Sequence, residues 1–126
     1  MADNERMICE SAALVERMPG VRFDLPELGR YATGFAIRFK GKVFAYVNQC
    51  AHMPVELDWN EGDFFDLSQN YLVCATHGAH YLPDTGYCVM GPCRGRNLTP
   101  LVAEERDGKI FINLSTFMES LKHVGE

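Results

Sequence analysis

Residues 74–86 read Cys-Ala-Thr-His-Gly-Ala-His-Tyr-Leu-Pro-Asp-Thr-Gly, and upstream of them residues 50–52 read Cys-Ala-His. The motifs Cys50-Ala-His52 and Cys74-Ala-Thr-His77 each offer one thiolate and one imidazole, with residues 53–73 between them. One sulfur and one nitrogen donor on each of two loops lets opposed loops clamp a metal centre from both sides. The surrounding stretch, residues 48–100, is rich in Gly, Pro, Asn and Asp and holds four of the five cysteines and three of the four histidines. A loop-rich insert of this size in a small domain is more often functional than structural.

Outward from that stretch the pattern is of short strands. Arg6–Cys9 reads as a first edge strand, and Val21–Leu25 alternates apolar and polar residues with period two. Phe35–Phe39 and Val43–Val47 flank Lys40-Gly41 and predict a β-hairpin. Leu101–Arg106 and Lys109–Asn113 flank Asp107-Gly108, one of the strongest short hairpin signals. Thr116 with Glu119 fits a capping box, which predicts a short terminal helix over about Phe117–His123.

The 126 residues predict a single domain, with hydrophobic residues at 47% and a formal net charge of −5. Such an acidic balance argues against a nucleic-acid partner held by phosphate neutralisation. The longest apolar runs, Val43–Val47 and Tyr71–Ala75, are far too short for a membrane span. The acid-bearing N-terminus lacks a signal-peptide core. A soluble, cytoplasmic protein is therefore expected. An odd cysteine count in such a chain favours metal binding or plain burial over a disulfide framework.

The order C-x-H, spacer, C-x-x-H-G, an aromatic at Tyr81, the turn Pro83–Gly86, then Gly91-Pro92 resembles the Rieske iron–sulfur family over roughly residues 30–114. The resemblance implies an all-β Rieske fold of small antiparallel sheets. Both chain ends would build its base, with a cluster-binding subdomain inserted at about 48–95 and a short C-terminal helix. It implies one 2Fe–2S cluster, with Cys50 and Cys74 on the inner iron and His52 and His77 on the outer, imidazoles near the surface. Exchanging two thiolates for neutral imidazoles removes two negative charges, which raises the potential to between about −150 and +300 mV. A structural zinc site of the same four residues and an apo fold with vestigial ligands are the alternatives. Ordinary zinc fingers, however, do not mix the two ligand types within each short motif, and the intact ligand set argues against the second.

Around the ligands, Gly78 is expected to allow close backbone approach to a sulfide, and Pro92 to lie in the Gly-Pro loop beside the cluster. Tyr81 occupies the position where high-potential relatives carry a hydroxyl bonded to a ligand sulfur. Ala79 replaces their usual Ser, so an intermediate or low potential within the family range is expected. Cys88 and Cys93 are expected as buried free thiols, Cys9 as strand packing, and His80 as solvent-facing or beside the ligands. Met53, Pro54 and Val55 would form an apolar docking tip beside the imidazoles, Arg94 and Arg96 solvated surface or a contact for an acidic partner, and Trp59 an anchor for the first loop.

With no apolar run long enough for an anchor and only about 50 residues after His77, neither a membrane-anchored subunit nor a downstream mononuclear iron domain is expected. The chain therefore looks like a free-standing Rieske ferredoxin shuttling single electrons from a flavin reductase to an oxygenase, a carrier with no catalytic residues of its own. Two other roles fit the same motifs. One is a small subunit of a larger oxidoreductase, similar to that of assimilatory nitrite reductase; the other is a redox-sensing interaction module.

Overall fold

The computed structural model describes residues 5–51, 55–58, 60–76 and 78–114. Among the described residues nine strands form: β1 (Glu5–Glu10), β2 (Val21–Asp24), β3 (Thr33–Phe39), β4 (Lys42–Val47), β5 (Leu72–Val73), β6 (His80–Tyr81), β7 (Cys88–Met90), β8 (Pro100–Arg106) and β9 (Lys109–Asn113). Their pairing is antiparallel throughout. A six-stranded sheet runs β1-β9-β8-β4-β3-β2, and a three-stranded sheet runs β5-β6-β7. The large sheet draws on both ends of the chain, and the small one is inserted between β4 and β8. The fold is all-β, as the sequence predicts.

Turn chemistry sets the two long hairpins. Lys40 and Gly41 take φ of 53° and 79°, and Asp107 and Gly108 take 53° and 73°. Two successive positive φ values match the right-handed twist of the flanking strands, and the register closes tightly at Phe39↔Lys42 and Arg106↔Lys109. The expected strands appear with small shifts at their ends. Leu25 leaves β2 and precedes a short 3-10 turn, Pro26–Leu28. The expected terminal helix at 117–123 lies outside the described residues.

The central strands β3 and β4 are buried on both faces, which explains why Phe35–Phe39 and Val43–Val47 read as nearly continuous apolar runs. On one face, Ala36, Ala45 and Val47 join Leu14, Leu25, Leu101, Ile110 and Ile112 in the core of the large sheet. On the other, Phe35, Ile37, Phe39 and Tyr46 form the floor for the inserted segment, packing with Leu57, Phe64, Leu72, Tyr81 and Leu98. Phe35 stacks on Phe64 with ring centroids 3.9 Å apart, and the Tyr46 hydroxyl donates to Pro83 O at 2.8 Å. Aromatic burial plus one satisfied polar tip thus fastens the insert to the sheet. Arg38 secures the opposite side: its guanidinium reaches both carboxylate oxygens of Glu105, at 3.1 and 2.7 Å, and Leu14 O at 2.7 Å.

Candidate metal centre

Three loops converge at the end of the small sheet. The first follows β4 and carries Cys50, the second joins β5 to β6 and carries Cys74, and the third follows β7 through Gly91 and Pro92. Cys50 is 2% exposed and Cys74 0%. Both sulfurs sit within one packed group together with Leu57, Ala79 and Tyr81.

Backbone hydrogen bonds shape each loop and join the first two. Cys50 N–H donates to Val55 O at 2.8 Å, turning the first loop back on itself. Cys74 N–H donates to Ala79 O, and Gly78 N–H to Cys74 O, both at 2.9 Å. Ala75 N–H then crosses to Leu57 O at 3.0 Å, tying the second loop to the first. The third loop closes on the second at Gly91. Its φ is +103°, and a Cβ built there would lie 2.8 Å from Ala79 Cα, so only glycine fits this approach.

A buried polar group holds the first loop from beneath. Asn48 donates from its amide to Asp58 Oδ1 at 3.0 Å and accepts from Leu57 N–H at 3.0 Å, while Asp58 Oδ2 accepts from Gly62 N–H at 2.9 Å. Arg22 Nε lies 3.6 Å from Asp58, and the guanidinium also bonds Glu56 at 2.6 Å. A carboxylate with a fully buried side chain is tolerated because donors meet both its oxygens. The sequence alone offered no signal for this group, because Arg22, Asn48 and Asp58 meet only when the loop folds.

Tyr81 stands at the junction of the three loops. It is fully buried on β6, and its hydroxyl oxygen lies 3.2 Å from Cys50 Sγ, 3.0 Å from Ala51 N and 3.1 Å from Cys93 Sγ. Burial pushes the phenol pKa well up, and the contact with Cys50 Sγ pushes it further, so the group is a neutral hydroxyl with one proton to give. Ala51 N–H donates to it, which leaves its own O–H to point at sulfur.

Of the other expected site residues, Gly78 is exposed with φ +72°, and its Cβ position meets nothing among the described residues. Backbone conformation, rather than crowding on that side, is what calls for glycine. Pro92 is exposed beside buried Cys93. His80 is half-buried, with Nδ1 2.7 Å from Gly78 O, Nε2 3.6 Å from Asp66 and its ring edge-on to Tyr71. It braces the second loop against the segment leading into β5. Val55 is half-buried and packs against the core. Arg96 reaches Ala51 O at 3.4 Å, so it borders the first loop. Cys9 packs into the large-sheet core. His52, Met53, Pro54, Trp59 and His77 lie outside the described residues. Among the described residues no group of three or more metal-ligating side chains assembles. No helix among them is long and apolar enough to cross a membrane.

The residues present suit a sulfide-containing cluster. Two buried thiol side chains on separate, mutually tied loops supply anionic sulfur donors, and a neutral phenol beside one of them offsets ligand charge.

The model of the Rieske [2Fe-2S] domain matches residues 7–115. No curated protein matches the chain. Among solved structures, the terminal oxygenase of carbazole 1,9a-dioxygenase from Novosphingobium sp. KA1 is 22% identical with a TM-score of 0.70, over 89% of this chain and 30% of that one. The corresponding oxygenase from Nocardioides aromaticivorans IC177 is 19% identical with a TM-score of 0.69, over 89% and 30%. A fluorene-bound oxygenase and ferredoxin complex of carbazole 1,9a-dioxygenase reaches a TM-score of 0.72 at 18% identity, over 90% and 29%. The chain thus spans less than a third of each of these structures, and at these identities they share its fold. Matched over most of its length, the chain belongs to the Rieske family, which implies one Rieske-type 2Fe–2S cluster and an electron-transfer role.

Proposed function

We propose that Cys50 and Cys74 hold one iron of the cluster and His52 and His77 the other, and that the chain acts as a Rieske-type ferredoxin. It carries single electrons from a flavin reductase to an oxygenase component, with no catalytic step of its own. When bound, the cluster supplies one-electron oxidation and reduction. Cys50 and Cys74 keep their sulfurs in a dry packed group, and the Ala75–Leu57 hydrogen bond holds the two loops at a constant separation. Tyr81 donates to Cys50 Sγ, and Gly91 lets the third loop cover the second without displacing Ala79.

The observation that carries this reading is the burial of Cys50 and Cys74 in one packed group, on two loops joined by a main-chain hydrogen bond. Partners dock near Met53, Pro54 and Val55, the residues that follow His52 in the sequence, and electrons pass by way of His52 and His77. Transient docking to basic partner faces suits the net charge of −5. Solved neighbours that are oxygenase–ferredoxin complexes support a redox-enzyme partner.

The test is electron paramagnetic resonance of the dithionite-reduced protein, with iron and acid-labile sulfide assayed on the same sample. A rhombic signal, two irons and two sulfides per chain, and rapid reduction by a flavin reductase are expected. A silent sample containing zinc and no sulfide would overturn the electron-transfer reading. Stable co-purification with a large enzyme would replace the carrier by a subunit.

A further inference from the structure

Cys88 and Cys93 lie beside the metal centre and are not used by it. They are 0% and 1% exposed, carry no disulfide, and their sulfurs stand 2.7 Å apart. That is well inside the contact distance of two non-bonded sulfurs, and closer by far than packing of two small apolar side chains would require. A bonded pair sits at about 2.05 Å, so a sub-ångström movement separates thiols from bridge.

The backbone holds the pair in this position. Cys88 N–H donates to Arg96 O at 2.7 Å, and Gly95 N–H donates to Cys88 O at 3.1 Å, which folds the loop at 91–95 back over β7. Arg96 N–H to Cys93 O at 2.9 Å completes the turn that sets Cys93 above Cys88. Cys93 has two neighbours for one hydrogen, Tyr81 Oη at 3.1 Å and Cys88 Sγ. A line of close contacts therefore runs Cys88–Cys93–Tyr81–Cys50.

We propose that Cys88 and Cys93 form a reversible dithiol–disulfide couple, a second redox site joined to Cys50 through the Tyr81 hydroxyl. Its oxidant is a low-molecular-weight disulfide. The thiolate of Cys93 attacks one sulfur of that disulfide, forming a mixed disulfide and releasing the first small thiol. The Cys88 thiolate then attacks Cys93 Sγ and releases the second. Two protein S–H bonds and the oxidant's S–S bond break; one protein S–S bond and two small-molecule S–H bonds form. Two electrons pass from protein sulfur to the oxidant.

Access comes from local opening of the loop, since Gly91, Pro92, Arg94, Gly95 and Arg96 around Cys93 are all exposed. Closed, the pair is protected: burial pushes the Cys88 thiol up to about 11. Bridging removes the Cys93 S–H that polarises the Tyr81 hydroxyl. Donation to Cys50 Sγ then weakens, and the midpoint of the metal centre falls. This coupling rests on Cys50 being a ligand; formation of the bridge does not.

The experiment incubates the intact holoprotein in buffers stepped from reduced to oxidised glutathione, followed by acid quenching, denaturation, alkylation and chymotryptic mapping. Cleavage after Tyr87 and Leu98 isolates Cys88 and Cys93 from every other cysteine. Loss of two hydrogens in that peptide, as one two-electron transition reversed by reductant, is expected. Two alkylated thiols at every step, or mixed disulfides alone, would overturn the couple. Cys88→Ser and Cys93→Ser should each stop at a mixed disulfide or remain unmodified. A lower midpoint in the bridged form, unchanged by the same treatment in Cys93→Ser, supports the link through Tyr81, and an unmoved midpoint overturns it. Absence of any cluster signal with the bridge still forming would count against the ligand assignment and leave the couple standing.

Discussion

The hydroxyl of Tyr81 lies 3.2 Å from Cys50 Sγ and accepts the Ala51 main-chain N–H at 3.0 Å. One side chain therefore both fixes the path of the first loop and presents a proton to a sulfur. The two roles separate in a single substitution. Tyr81→Phe removes the donor, so negative charge on the reduced centre is less well stabilised and the midpoint falls. A net hydrogen-bond contribution of about 0.5–1.5 kcal/mol corresponds to about 20–65 mV for one electron. Redox titration reads this directly, and an unchanged midpoint would remove Tyr81 from the site. Ala51 N–H also loses its acceptor, which costs a further ~1–3 kcal/mol in stability if the group stays dry.

Gly91→Ala should loosen the third loop. The new Cβ would meet Ala79 Cα at 2.8 Å with φ at +103°. Strain at a positive φ alone exceeds about 1 kcal/mol, and a backbone neighbour cannot rotate away as a side chain would. Thermal unfolding should show a clear loss. Gly95→Ala provides the comparison, since its φ is similar at +94° and its Cβ position meets nothing among the described residues. Equal losses in the two variants would show that crowding against Ala79 is not a factor.

Asp58→Leu and Asn48→Leu should destabilise the first loop unequally. Removing Asn48 strips one donor from a buried carboxylate and leaves the Leu57 N–H unmatched, at about 1–3 kcal/mol. Removing Asp58 leaves the Asn48 amide and the Gly62 N–H without an acceptor and Arg22 with one fewer anion, at roughly 3–5 kcal/mol. Denaturant unfolding of the two variants and of their combination measures the coupling between them. Simple additivity would argue against a shared network.

Acid should weaken the link between Arg38 and Glu105. The adjacent guanidinium holds the Glu105 carboxyl below its ordinary value of 4.5. Because the folded state has the lower pKa, this stabilisation is present above about pH 4.5 and disappears as pH falls through the folded value. Glu105→Gln should be less stable than the native protein near pH 7, by under about 1 kcal/mol because the carboxylate is partly solvated. The gap should close as pH falls through the folded value, where the native carboxyl also becomes protonated. A difference that persists in acid would assign it to packing and not to charge.

Elements whose causes are local are legible in the sequence. Lys40-Gly41 and Asp107-Gly108 specify their hairpins because positive φ at both turn positions is a property of two adjacent residues. The motifs Cys50-Ala-His52 and Cys74-Ala-Thr-His77 are legible for a similar reason, since residues two or three apart in sequence are neighbours along the chain. Tertiary structure decided what depends on meetings between distant segments. β1 pairs with β9 across almost the whole chain, and no local pattern encodes that choice. Asn48, Asp58 and Arg22 are unremarkable polar residues until a folded loop buries them together. Cys88 and Cys93 read as small buried residues, and only the turn that folds residues 91–96 back over β7 brings their sulfurs together beneath Tyr81. Such contacts arise from packing, which acts through space, whereas a sequence motif reports only what neighbouring residues can do along the chain.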